Sequence, residues 1–126
     1  MKLFSIEEAN ALLPTVKRIV AALARDYTRV SASEAAAKLA AEAAKESGGG
    51  HMPGGDAYVR ALTGIAERAG QLEALGVQLK DYERGLIDFP ATRDGRVVLL
   101  CWRLGEGDQI EWWHDLETGF AGRQPL

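Results

Sequence analysis

Nine residues, SGGGHMPGG at positions 47–55, hold five glycines and a proline, a composition no α-helix can run through. They interrupt an otherwise almost unbroken stretch of helix-forming sequence, so the chain on either side must form separate helices joined by a flexible loop. Upstream, Val16, Val20, Leu23, Tyr27 and Val30 recur at alternating intervals of four and three, which places them on one stripe of a helix from Thr15 to about Glu46. Downstream, Asp56 is a natural N-cap for a helix to about Leu75, closed by Gly76, with its own stripe of Tyr58, Leu62, Ile65, Ala69 and Leu72. Two such stripes make an antiparallel helical hairpin with coiled-coil-like packing.

The arms are unequal, about 48 Å against about 30 Å at 1.5 Å per residue. The outer part of the longer arm, SASEAAAKLAAEAAKE, is rich in alanine and has little bulk to bury. A second copy of the chain would cover it best, which predicts a homo-oligomer through the helical arm. Before the long helix, Ser5 and Glu8 have capping-box spacing. Pro14 lacks an amide proton and is expected to divide a short first turn from the long helix.

After Gly76 the pattern becomes that of strands. VQLKDYERGLIDFPA predicts a strand, a turn and a second strand through Phe89; Asp94-Gly95 marks a tight turn; RVVLLCWRL is apolar on both faces and therefore central; QIEWWHD returns. If GEGD is the loop, Leu99 lies opposite His114, Leu100 opposite Trp113 and Cys101 opposite Trp112. Leu99, Cys101, Trp112 and His114 then share one face. The tail LETGFAGRQPL is expected to run irregularly. The whole reads as a single α+β domain over 1–126: a long antiparallel helical hairpin (1–75, with a flexible loop at 47–55) followed by a small antiparallel β-meander and irregular tail (76–126).

The segments FSIEEANALLP, GVQLKDYERGLIDFPATRDGRVVLLCWRLGE and EWWHDLETGFAGRQPL together resemble an uncharacterised family of small bacterial proteins, the domain of unknown function 2203. The resemblance implies a compact domain and brings no activity, cofactor or catalytic residue with it.

Net charge −3, with cations and acids interspersed, argues against nucleic acid as a partner. No apolar run is long enough to span a membrane, and the acids in MKLFSIEEANALL do not suit a signal peptide, so a cytoplasmic location is expected. A single cysteine leaves no intrachain disulfide and no cysteine-cluster zinc site.

Four groups are candidates for chemistry. His114 can ligate a divalent metal such as zinc or iron or act as a base, with carboxylates drawn from Asp81, Glu83, Asp88 or Glu117. Its plainer role is a strand-end histidine hydrogen-bonded to backbone. His51, in the glycine loop, reads as a bystander. Cys101, mid-strand among apolar residues, reads as inert core. Trp102, Trp112, Trp113 and Phe120 can line a ligand pocket, anchor an interface or fill the core; adjacent Trp112 and Trp113 must point to opposite faces of a strand. Lys80, Arg84, Arg93, Arg96, Arg103 and Arg123 can hold an anion or phosphate, though no phosphate-binding glycine loop is present and their plainer role is as solvated or paired cations; Arg123 also joins the aromatics as a ligand-or-interface residue. Two functions follow: a non-catalytic oligomeric interaction or small-ligand domain, and alternatively a metal-binding protein or metal-dependent enzyme built on His114. A hydrolase using His114 as base is a third, with no nucleophile motif behind it.

Overall fold

The computed structural model describes residues 1–47 and 55–126. The expected loop and His51 therefore lie outside the described residues, apart from the loop's two end positions, which belong to helices. Helix α1 (Ile6–Ser47) and helix α2 (Gly55–Leu75) precede strands β1 (Gln78–Asp81), β2 (Leu86–Arg93), β3 (Arg96–Arg103), β4 (Trp112–Asp115) and β5 (Gln124–Pro125). The strands form one antiparallel sheet in sequence order, the simplest meander, with the helical hairpin as the second layer.

The capping box forms as its spacing predicts: the Glu8 amide donates to Ser5 Oγ (3.0 Å) and the Ser5 amide to Glu8 Oε1 (3.1 Å). That exchange holds the Glu8 carboxyl below its ordinary range. The expected break at Pro14 does not occur. Helix α1 runs through it, with Pro14 on the exposed side. Ala9, Leu13, Val16 and Val20 on either side are fully buried. Burying that continuous stripe outweighs a proline penalty of about 3 kcal/mol.

Helix α2 ends as predicted. Gly76 has φ 83°, its amide donates to Glu73 O and that of Val77 to Leu72 O, the paired bonds of a Schellman stop. Its packing face follows the expected stripe at Ala69 and Leu72, but nearer its start it is rotated by about one residue. Ala61, Gly64 and Leu72 are buried, whereas Leu62 is exposed. The cause is Asp26 on α1, whose carboxylate accepts from Arg68 (3.0 Å) directly over Gly64. A Cβ there would sit 2.2 Å from Asp26 Oδ2. The helices close on small residues around an ion pair.

In the sheet, Asp94 (φ 52°) and Gly95 (φ 78°) form the two-residue turn between β2 and β3, with Arg93 opposite Arg96. Strand β2 continues past Pro90 to Arg93, beyond the expected end at Phe89. The missing amide of Pro90 costs no ladder bond on the β1 side, because β1 stops at Gln78 opposite Asp88. The β3–β4 register is the expected one: Leu99↔His114, Leu100↔Trp113, Cys101↔Trp112. The tail is more ordered than expected. A 3-10 turn (Phe120–Gly122) leads into β5, which pairs with Trp112 and Trp113.

Alternation gives the sheet two faces. Ile87, Phe89, Val98, Leu100, Trp102 and Trp113 pack with Leu13, Val16, Val20, Leu23 and Leu72 into the main apolar core. Asp88, Pro90, Leu99, Cys101, Trp112 and His114 belong to the other face, which the helices do not cover.

Candidate functional site

Three residues of that second face converge. From the turn at Asp94-Gly95, counting six residues away along each strand sets Asp88 opposite Cys101. His114, opposite Leu99 one strand further on, reaches diagonally to both. His114 Nε2 lies 3.1 Å from Asp88 Oδ1. One ligand atom from each of Asp88, Cys101 and His114 lies within 4.8 Å of the others. All three are buried, at 1%, 0% and 2% exposure.

The imidazole is fixed by the backbone. His114 Nδ1 lies 2.8 Å from Asp115 O, and a carbonyl only accepts, so Nδ1 carries the proton. Nε2 is thereby aimed at Asp88 and the thiol. Burial raises the Asp88 carboxyl above its ordinary value, with His114 opposing, so the pocket resists an isolated negative charge. Burial, reinforced by Asp88, pushes the Cys101 thiol up to about 12. A thiol so weakly acidic is a poor nucleophile. A hydrolytic cysteine is therefore disfavoured, while a ligand that releases its proton only to a cation is not.

Of the acids expected beside His114, only Asp88 reaches it. Asp81 accepts the Arg84 amide in the turn after β1 (2.9 Å), and Glu83 and Glu117 are exposed. Cys101 is fully buried, as expected of a core residue, and also lies within the cluster. The tight turn at Asp94-Gly95 already carried that information, since it dictates which residue faces Cys101.

The aromatic candidates divide between the faces. Trp102 is core, its indole N–H donating to Gly107 O (2.9 Å). Trp113 is also core. Its ring lies beneath the Arg93 and Arg96 guanidiniums, and its N–H is buried without an acceptor among the described residues. Trp112 lies on the second face. Arg123 stacks on it (4.8 Å) and on Phe120 (4.5 Å) while donating to Glu106, which sequence reasoning missed. Both charges of that pair are largely buried, at 9% and 20% side-chain exposure. No motif announces it, because the partners come from a loop and the tail.

These features define an α+β domain, a helical hairpin on an antiparallel meander, with a buried acid–thiol–imidazole cluster on the sheet's outer face. The chain belongs to the family described as uncharacterized conserved protein (DUF2203), whose model matches residues 2–126. No curated protein and no solved structure matches it. Among the described residues no helix is long and apolar enough to cross a membrane.

Proposed function

We propose that this protein binds a single divalent transition-metal ion, of the zinc or iron kind, through Asp88, Cys101 and His114. The observation that supports this most is the donor set itself: carboxylate, thiol and imidazole atoms within 4.8 Å of one another. Tetrahedral bonds of about 2.0–2.3 Å require donors roughly 3.3–3.6 Å apart, so small side-chain shifts suffice. A second support is the Nδ1–H to Asp115 carbonyl bond, the outer contact that metal-ligating histidines use to present Nε2. The thiol selects against magnesium and calcium. Three protein ligands leave one position for water or a small anion.

The thiol ligand must stay reduced, which supports a cytoplasmic location. The hairpin arm supports a separate reading as a self-association surface, since Leu39 (67%), Val59 (59%) and Leu62 (42%) are exposed apolar side chains. Light scattering on the eluted protein tests it, and a strictly monomeric mass would end it.

The metal reading is tested on untagged protein purified without chelator. Elemental analysis should give one zinc- or iron-class ion per chain. Cobalt substitution should give a thiolate charge-transfer band that Cys101→Ser abolishes. His114→Ala and Asp88→Asn should lose the ion while keeping the far-UV spectrum of a folded chain. A protein that takes up no ion stoichiometrically and gives no cobalt band would overturn the proposal.

A further inference from the structure

We infer that the C-terminal strap, residues 116–126, is a gate over the Asp88–Cys101–His114 cluster and that Arg123 is its latch. The identity of what passes beneath it rests on the metal reading above; the gate itself does not.

The cluster is sealed from both sides, but by different means. On the helix side lies the apolar core, with Phe89, Leu100 and Trp102 at 2% exposure or less. On the other side the strap crosses the sheet, touching β4 through the 3-10 turn and laying Arg123 over Trp112, the residue opposite Cys101. Arg123 thus lies over the strand neighbour of Cys101, and Glu106 is anchored there through its ion pair with Arg123.

The strap is held without hydrophobic burial. No residue of its 3-10 turn is buried, and Leu116, Phe120 and Leu126 are 53%, 38% and 39% exposed. Segments with few buried apolar contacts open at low cost while the rest stays folded. What holds this one is polar and concentrated on a single side chain. Arg123 makes the ion pair to Glu106 and stacks on both Trp112 and Phe120. The remaining ties are few: the Arg103 guanidinium over Phe120 (5.6 Å), Thr118 onto Asp115 O, the two-residue β5, and Leu126 N onto Glu111 O (2.9 Å). Gly122 fits tightly, since a Cβ there would lie 2.4 Å from Thr118 Cβ. A larger residue at 122 must push Thr118 aside and so disturb the strap's own fold and its tie to Asp115 O.

Cys101 is the protein's only cysteine, so its alkylation by a neutral maleimide, followed by intact mass in native buffer, reports opening directly. Arg123→Ala and, separately, Gly122→Val should label at least tenfold faster than wild type. Leu23→Ala, in the core of α1, controls for global unfolding. The gate is overturned if Arg123→Ala labels no faster than wild type, or if its rate simply follows global stability as that of Leu23→Ala does. Cobalt uptake by the same proteins separates the two readings. Faster uptake in Arg123→Ala supports a gate for metal. Faster labelling with no cobalt band in any variant removes the metal and leaves the gate.

Discussion

The two faces of the sheet are made from alternate residues of the same strands, yet they are closed by opposite chemistry. Toward the helices, Phe89 and Leu100 meet Leu13 and Val20 in a fully apolar layer. One residue along, Asp88, Cys101 and His114 are equally buried but polar, and the strap over them is latched by Arg123 rather than by buried apolar side chains. Burial therefore says nothing by itself about how firmly a face is held. The apolar layer supplies stability, and the polar layer costs desolvation that an intramolecular histidine contact only partly offsets.

That contrast is open to direct test. The largest effect should come from Phe89→Ala, with a loss of about 3–5 kcal/mol in chemical denaturation, as expected for emptying a packed core. A loss under about 1 kcal/mol would mean that this layer does not dominate. Next, His114→Ala in chelator-treated protein should cost about 3 kcal/mol, because Asp88 is left buried without its partner. Replacing the pair together, Asp88→Val with His114→Leu, should recover stability to within about 1 kcal/mol of wild type. If the double variant is as unstable as the single one, the polar face is structural after all and the comparison fails.

A smaller effect is expected far from both faces. Ser5→Ala should cost about 1 kcal/mol through loss of the N-cap. The smallest concerns Glu8 and carries a sign. Its pKa is lowered by the Ser5 amide and hydroxyl, so its contribution is present above its ordinary value of 4.5 and lost as pH falls through the depressed folded value. The melting-temperature gap between wild type and Glu8→Ala should therefore narrow on acidification below 4.5. A gap that widens there would mean the carboxylate is not what caps the helix.

Much of this was legible because it is local or periodic. Ser5 and Glu8 declare a helix start, Gly76 a stop, and Asp94-Gly95 a turn that fixes the β2–β3 register. The register from GEGD places His114 and Cys101 on one face from counting alone. What escaped depends on partners distant in sequence. Pro14 is tolerated because the stripe around it is buried by the sheet. The α2 face is set by Asp26, a charge that no apolar stripe would anticipate. Arg123 stood out as a ligand-or-interface residue, but its partner Glu106 did not, because only the folded-back tail brings the two together.

The loop between β3 and β4 carries one more consequence. Its Ile110 amide donates to Asn10 of α1 (2.7 Å), its Asp108 pairs with Lys17 of α1 (2.6 Å), and its Glu106 holds Arg123. A single short segment thus works as a corner bracket, bolted to the hairpin on one side and to the strap on the other. A sideways displacement of the long helix that draws Asn10 away must break that bolt or drag the latch with it.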